Sequence, residues 1–248
     1  MNIAIVTPTQ KSEISYSEHK RLKVSLKANS SLDHFFVIPE SLDIRQLRKA
    51  FPKSKFKRFD DKFFTSRDSN SSLMLDPKFY ESFTDYIYIL ICQLDAILLK
   101  GVDPILHKNF TYLGAAWNPS IYVTKFFNQL YFNKIKFSSP ISYELQSGNG
   151  GLSLRKTQDI FEALISAQKS RFLNSVVWEN RKANEDILIV YILGQLGYPL
   201  ISKVIANKFF IESTPINEYN FDNIYGFHKL SKFDLSLENR ILAKLYSD

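Results

Sequence analysis

Asp95 is the first residue in this sequence whose type and surroundings suggest chemistry. It is the one carboxylate in residues 86–99, an otherwise nearly unbroken apolar run. Such a run suits a strand that is covered on both faces at the centre of an α/β sheet. A buried carboxylate without a partner is costly or takes up a proton, so we expect Asp95 where the strand ends, facing a cation or a ligand. The alternative is a capped aspartate in a turn between two strands.

A second acidic group, Glu185 and Asp186, follows Asn184 and precedes the apolar residues 187–193. Acidic residues and asparagine at a helix start are ordinary caps that the helix dipole favours. A carboxylate fixed at such a position also serves well as a general base. His228 is one of four histidines, and by itself it is either a packed, hydrogen-bonded residue or a metal ligand.

Residues 148–151, Gly-Asn-Gly-Gly, interrupt regular structure between these acidic groups. Glycine tolerates positive φ and has no side chain, so a bound group can approach the backbone closely. The motif precedes a predicted strand and lacks Gly-Lys-Ser/Thr, which distinguishes it from a dinucleotide fingerprint and from a P-loop. A plain hairpin turn is the alternative.

The composition limits the class of protein. The chain has 248 residues, 45% of them hydrophobic, and a net charge of +7, which excludes a disordered chain and favours anionic partners. Cys92 is the single cysteine, so a reducing cytosol is expected, with Cys92 a small buried residue. The first residues read as a strand without a basic segment, which argues against a signal peptide, and no apolar run reaches the roughly 20 residues of a membrane span.

The elements that must position these residues alternate between strands and helices. In the first part of the chain we predict strands Ile3–Val6, His34–Ile38 and Lys55–Phe59, helix Tyr16–Ala28, and helix Leu42–Ala50 capped by Ser41. This order predicts parallel strands joined by right-handed crossovers.

Further along we predict a polar loop or cap between Asp60 and Leu75, helices at Pro77–Phe83, 157–169, 186–196 and Leu235–Tyr246, and strands at Tyr86–Ile91, Phe110–Ala115, Leu152–Arg155 and Phe209–Glu212. Residues 120–147 alternate aromatic residues with lysines and are predicted as a long lid or acceptor loop, with an inserted β-hairpin equally open. No linker divides the chain, so we expect one domain.

Six ordered segments together resemble a known family. They are residues 88–95, 112–117, 148–155 and 184–186, then Ala206 with Phe209 and Glu212, and residues 225–228. From about residue 60 to 230 the chain resembles a bacterial sugar-transferase family with a GT-A type fold, known as a domain of unknown function and found with polysaccharide (O-antigen or capsule) genes. Two departures are Ala116, where proline is common, and Gln93-Leu94-Asp95 in place of the Asp-x-Asp of many GT-A enzymes, which leaves one acidic residue where the metal ligands of those enzymes lie.

The resemblance implies an α/β, GT-A-like single domain over residues 1–248, with a mostly parallel central sheet flanked by helices. Its Rossmann-like residues 1–100 would bind the nucleotide and residues 101–248 the acceptor. It also implies a glycosyltransferase of hexosyltransferase type that uses a UDP-sugar or similar nucleotide-sugar donor, with inversion, on a saccharide or lipid-linked glycan acceptor. The expected cofactor is a divalent metal, Mn²⁺ or Mg²⁺.

The resemblance also implies a role for each matching residue. Asp95 and His228 would hold the metal, and Asp186 or Glu185 would be the catalytic base. Thr7 and Pro8 would line the base of the nucleotide and Arg67 would reach a phosphate. Gln93, Asn149, Gly150 and Gly151 would contact the donor or a sugar, and Trp117 is a platform for a sugar ring or a core residue.

Two other functions fit parts of the sequence. A nucleic-acid or anionic-surface binder fits the charge, but the lysines are scattered and no nucleic-acid-binding pattern is present, so no nucleic acid is expected. A sugar nucleotidyltransferase shares the sheet and the metal, but Thr7-Pro8-Thr9-Gln10-Lys11 lacks the glycines of its first loop. We expect a cytoplasmic protein, with peripheral contact to the inner face of the membrane through the last helix and residues 120–136.

Overall fold

The computed structural model describes residues 2–126, 129–133, 142–170, 184–212 and 223–246. The strands in this part of the chain are β1 (Ile3–Pro8), β2 (Asp33–Pro39), β3 (Lys55–Phe59), β4 (Tyr88–Cys92), β5 (Ala96–Leu98), β6 (Tyr112–Gly114), β7 (Ala116–Phe126), β8 (Gln129–Asn133), β9 (Ser142–Ser147), β10 (Leu152–Lys156), β11 (Phe210–Glu212) and β12 (Gly226–His228).

The helices alternate with these strands. They are α1 (Tyr16–Ala28), α2 (Arg45–Ala50), α3 (Arg67–Met74), α4 (Pro77–Glu81), α5 (Thr157–Lys169), α6 (Glu185–Gln195), α7 (Lys203–Ala206), α8 (Leu230–Phe233) and α9 (Leu235–Tyr246), with 3₁₀ turns at Asp61–Phe64 and Asp103–His107. Within the described ranges, no helix is both long and apolar enough to cross a membrane.

The central sheet has six strands in the order β3-β2-β1-β4-β10-β6. Neighbours from β3 to β4 are parallel, whereas β10 runs antiparallel to both β4 and β6. Five strands therefore point one way, and the predicted α/β class with a mostly parallel sheet is confirmed.

The core lies on both faces of this sheet. Along β1, Ala4 and Val6 pack into one apolar cluster, while Ile3 and Ile5 pack into another. Strand β4 alternates in the same way and is buried along its whole length. Both faces are covered, which explains the unbroken apolar sequence of this strand. Cys92 is buried, as predicted, and burial raises the pKa of its thiol to about 12.

Two sequence predictions for the first half need correction, the start of α2 and the segment 60–75. Helix α2 begins at Arg45 and is not capped by Ser41. Arg58 donates hydrogen bonds to the carbonyls of Pro39 and Leu42, at 3.2 and 3.1 Å, so the Leu42 carbonyl is occupied outside a helix.

The segment 60–75 is not a loop, because it contains a 3₁₀ turn and α3. Ser66 and Ser69 form a reciprocal cap at the start of α3, each side chain accepting from the other residue's backbone N–H. The serine-rich composition therefore marks a helix start.

Strands β7, β8 and β9 form a three-stranded antiparallel sheet, ordered β8-β7-β9. The prediction of a lid or acceptor loop is thus wrong and the hairpin alternative is confirmed for the described part; residues 127–128 and 134–141 lie outside it. Backbone hydrogen bonds between neighbouring strands form this sheet, and they need no regular sequence pattern.

Candidate active site

A cleft of about 720 Å³ opens at the edge of the central sheet where β1 and β4 end. Open α/β sheets bind ligands at this edge. Its walls come from the segments that follow β1 and β4, from α3, from the turn before β10, from the start of α6 and from the residues after β12. The lining residues are Pro8, Thr9, Gln10, Lys11, Glu18, Arg67, Asn70, Ser71, Met74, Gln93, Leu94, Asp95, Asn149, Gly150, Gly151, Asn184, Glu185, Asp186, His228, Lys229 and Lys232.

Asp95 and His228 meet in this cleft. Asp95 lies in the turn between β4 and β5, with its side chain one-third exposed, and its Oδ1 is 3.3 Å from Nε2 of the buried His228. The backbone fixes both residues, because the N–H of Lys229 donates to the Asp95 carbonyl at 2.9 Å and β12 pairs with β5. The turn alternative describes the backbone of Asp95, while its side chain faces the cleft as expected.

Charged neighbours set the ionisation of these two groups. Burial alone would raise the pKa of Asp95, but His228 and Lys229 hold it below its usual value. Burial alone would lower the pKa of His228, but Asp95 and Glu212 raise it. Glu212 lies behind the imidazole, with Oε1 3.3 Å from Nδ1 of His228 and 2.9 Å from Nζ of Lys229.

This pair fits a divalent cation. Both ring nitrogens of His228 are buried and lack a well-formed hydrogen bond, so Nε2 is free to act as a ligand beside the Asp95 carboxylate. In the described residues no cluster of three or more His, Cys, Asp or Glu side chains is arranged to hold a metal. Two protein ligands are enough for Mg²⁺ or Mn²⁺ when substrate phosphates and water supply the others.

The turn 148–151 separates this pair from the second acidic group. A Cβ on Gly151 would lie 2.0 Å from Nε2 of His228, and a Cβ on Gly150 would lie 2.6 Å from Oε1 of Glu185. A side chain at position 151 would collide with the buried imidazole, and one at position 150 would displace the Glu185 carboxylate. The turn joins β9 to β10, which belong to different sheets, so the plain-hairpin interpretation is wrong.

Glu185 and Asp186 begin α6 and hold this turn. Oδ2 of Asp186 accepts the N–H of Gly150 at 2.9 Å, and Oδ1 accepts the N–H of Ile187 at 2.8 Å. Burial raises the pKa of Asp186 to about 7, and the charge of Glu185 acts in the same direction. Glu185 is more exposed, and its Oε2 accepts from Ser71 of α3 at 3.2 Å.

Arg155 is a contributor to which sequence reasoning assigned no role. It is fully buried, donates to Tyr80 Oη at 2.8 Å and to the Gly150 carbonyl at 3.3 Å, and has Nη2 3.4 Å from Oε1 of Glu185. The sequence signal was an arginine at the end of an otherwise apolar strand, next to a glycine turn. Lys11, Lys229 and Lys232 also line the cleft and were not singled out.

The structure brings together most of the residues that the sequence indicated. The cleft is lined by the Asp95–His228 pair, the Glu185–Asp186 pair and the glycines of the turn. It is also lined by Pro8, Arg67, Gln93 and Asn149.

Two of the indicated residues lie elsewhere. Thr7 is fully buried and its hydroxyl is 3.1 Å from Nε2 of His34, so it does not line the cleft. Trp117 packs against the core, near the place where Gly148 would carry a Cβ, and does not line the cleft either.

Comparison with known protein families shows to which family this chain is related. Residues 53–228, more than two-thirds of the chain, match the family described as "Protein of unknown function (DUF5672)". The chain belongs to the DUF5672 family. The match ends at His228 and includes the Asp95–His228 and Glu185–Asp186 pairs. None of the curated proteins matches the chain.

Among solved structures, the DUF5672 chain is similar to the galactosyltransferase LgtC in complex with donor and acceptor sugar analogues. The TM-score is 0.55 at 9% identity, over 97% of this chain and 95% of LgtC. It is also similar to mouse xyloside xylosyltransferase 1 in its apo form, with a TM-score of 0.52 at 10% identity over 92% and 97% of the two chains. At this identity the likeness shows the fold, which is that of the GT-A glycosyltransferases.

Proposed function

We propose that this DUF5672 protein is a glycosyltransferase that moves a hexose from a nucleotide-sugar donor, preferentially a UDP-sugar, to a hydroxyl group of a glycan. The observation that carries the proposal is that one cleft holds two centres, the Asp95–His228 pair and the Glu185–Asp186 pair. A Cβ on Gly151 would meet His228 and a Cβ on Gly150 would meet Glu185, so the two centres lie beside adjacent residues, whose Cα atoms are about 3.8 Å apart. Glycosyl transfer needs two such groups, one at the leaving diphosphate and one at the acceptor hydroxyl.

The first centre suits the donor. Asp95 and His228 would hold Mn²⁺ or Mg²⁺, which neutralises the negative charge of a departing nucleoside diphosphate. Arg67 lines the cleft on an exposed part of α3, where its guanidinium can pair with phosphate oxygens. Pro8 and Gln93 follow β1 and β4, and they would line the nucleotide and the sugar.

The second centre suits removal of a proton. Asp186 has a raised pKa, near 7, which is where a general base works well at neutral pH. Glu185 is the more accessible carboxylate and keeps that pKa high. We therefore assign the base to the Glu185–Asp186 pair, with Glu185 nearer to the acceptor hydroxyl. Asn149, Gly150 and Gly151 would contact the sugar.

A base at the acceptor hydroxyl permits direct displacement at the anomeric carbon, which inverts its configuration. The nucleotide-binding half would comprise residues 1–100 and the acceptor-binding half residues 101–248 of one domain. We propose a bacterial cell-surface polysaccharide, O-antigen or capsule, or a lipid-linked glycan as the acceptor. The enzyme would act in the cytoplasm, in peripheral contact with the membrane.

The test begins with a panel of nucleotide sugars, with and without Mn²⁺. A ligand that binds only the native state raises the melting temperature, so a UDP-sugar with Mn²⁺ should raise the Tm. The wild-type protein should then hydrolyse or transfer that sugar, and NMR of the product should give the anomeric configuration. A panel without any Tm shift and without turnover would contradict the proposed function, and a retained configuration would contradict the direct displacement.

Two variants separate the two centres. Glu185→Gln should still bind UDP with Mn²⁺ but lose turnover by about 10²–10⁴-fold, the usual contribution of a general base. Asp95→Asn should lose most of the Mn²⁺-dependent Tm shift. Exposed Glu162→Gln and Asp103→Asn are matched controls that should behave like the wild type. Full turnover in both cleft variants would remove our assignment of the site.

A further inference from the structure

Arg155 is a buried cation whose place in the fold requires an explanation. Its side chain has no exposed surface, and arginine cannot lose its charge in proteins. Its Nε donates to Ser153 Oγ at 2.9 Å and Nη1 to Tyr80 Oη at 2.8 Å. The guanidinium carbon Cζ lies 5.0 Å from the centre of the Tyr112 ring. Burial of a full charge is unfavourable unless opposite charge is close.

The opposite charge is at the start of α6. Nη2 of Arg155 is 3.4 Å from Oε1 of Glu185, and Asp186 is near enough for its pKa to respond to Arg155. The same Nη2 donates to the carbonyl of Gly150, while the N–H of Gly150 donates to Asp186. Arg155 is not among the residues that line the cleft, so it acts through these partners.

Two tyrosines are further titratable groups beside Arg155. Tyr80 on α4 and Tyr112 on β6 face Arg155, and burial raises the pKa of both phenols, which keeps them neutral. Ser71 on α3 and Ser153 on β10 add hydroxyl groups without charge. Within the described residues, Arg155 is therefore the buried cation that faces the two carboxylates, and the N–H groups of Gly150 and Ile187 supply only partial charge.

We propose that Arg155 is a positioning residue whose buried charge balances the carboxylates at the start of α6 and keeps Glu185 directed at the cleft. The same charge favours the ionised form of Asp186, the form that can accept a proton from an acceptor hydroxyl. The catalytic meaning rests on the proposed function, but the charge balance itself does not require an active enzyme.

The experiment follows the carboxyl carbons of aspartate and glutamate by ¹³C NMR as the pH is changed, without any substrate. Glu185→Gln and Asp186→Asn assign the two resonances. In Arg155→Gln, which removes the charge but keeps hydrogen-bond donors, the titration midpoint of Asp186 should rise by about one pH unit or more. In Arg155→Lys, which keeps the charge, it should stay within about half a unit of the wild type. An unchanged midpoint in a folded Arg155→Gln protein would overturn the proposal.

A double variant covers the case in which Arg155→Gln does not fold. Arg155→Gln/Glu185→Gln removes one charge of each sign, so it should fold and melt higher than Arg155→Gln. If the double variant is no more stable, the charge balance is not the reason for Arg155 and the proposal fails.

Activity supplies a separate readout. If the protein transfers sugar, the acid limb of kcat/KM against pH should move upward in Arg155→Gln with the NMR midpoint, while UDP binding stays unchanged. A lower kcat with an unmoved acid limb would indicate a merely structural role and overturn the positioning role. A protein that shows the NMR shift but never turns over a nucleotide sugar would overturn the proposed function alone.

Discussion

Gly151 and His228 are packed so closely that a Cβ atom on the glycine would lie 2.0 Å from Nε2 of the imidazole. The contact joins the turn before β10, in the central sheet, to β12, in a different sheet. It also explains how His228 keeps its place beside Asp95 with neither ring nitrogen in a well-formed hydrogen bond. Close packing against Gly151 therefore holds the imidazole together with the charges of Asp95 and Glu212.

Gly151→Ala is therefore expected to displace the imidazole and weaken Mn²⁺-dependent UDP binding by about tenfold or more, because residues that support a metal ligand contribute on this scale. Isothermal titration calorimetry measures the effect. Gly194→Ala is the matched control. Gly194 lies in α6, and a Cβ there would make an ordinary 3.5 Å contact with Leu200. It should be neutral or stabilising by up to about 1 kcal/mol. Wild-type binding in Gly151→Ala would contradict the placement of His228.

Asp186→Asn is expected to lower the stability of the fold as well as turnover. Both carboxylate oxygens accept backbone N–H groups, and an asparagine would direct its NH₂ group at one of these donors. A buried donor that loses its acceptor costs about 1–3 kcal/mol. Urea denaturation should show this loss, whereas Asp103→Asn, a substitution of an exposed carboxylate, should denature close to the wild type. Equal midpoints for all three proteins would show that Asp186 does not hold the turn.

His34 is expected to make the protein less stable in acid. It is buried between Ser54 and Thr7, and burial lowers the pKa of its imidazole to about 3. Between about pH 6.5 and 3 the unfolded chain binds a proton that the native state refuses. The free energy of unfolding therefore falls as the pH falls, by up to about 1.4 kcal/mol per pH unit.

The comparison of wild type with His34→Gln by urea denaturation at several pH values isolates this contribution. Asp186, with its raised pKa, contributes stability of the opposite pH dependence, which is lost as the pH rises through about 7. It is present in both proteins and cancels in the difference. Exposed His107→Gln is the control and should keep the wild-type slope between pH 6 and 4. A His34→Gln protein with that same slope would be inconsistent with a buried neutral imidazole.

Arg67→Ala is expected to weaken binding of a nucleoside diphosphate by about tenfold at low salt, the value of one exposed charge-assisted hydrogen bond. The loss should shrink as salt is added, because exposed charges are screened. Arg45→Ala is the control, since Arg45 pairs with Asp43 on the surface, 2.6 Å away, and does not line the cleft. Equal affinities for the two variants at low salt would remove Arg67 from the donor site.

Many helices and strands of the fold could be predicted from the sequence, because local sequence patterns indicate where they begin and end. Helix α1 was predicted with its observed bounds from its polar amphipathic pattern. The structure adds a capping box of Ser15 and Glu18 at its start. Strand β3, α5 and α9 were also predicted with their observed bounds. The sheet 116–147 was left open because its pattern has no regular period and its pairing is decided between strands distant in sequence.

For the candidate site, the sequence by itself determined which residue types end at the sheet edge: Asp95, the glycine turn, the Glu185–Asp186 pair and His228. Only the tertiary structure decided their mutual arrangement. Thr7 and Pro8 are adjacent in sequence, yet one is buried against His34 and the other lines the cleft, because successive side chains of a strand point to opposite faces. Arg155 acquires its role from Glu185, thirty residues away, and a charge balance made by such distant contacts exists only once the chain has folded.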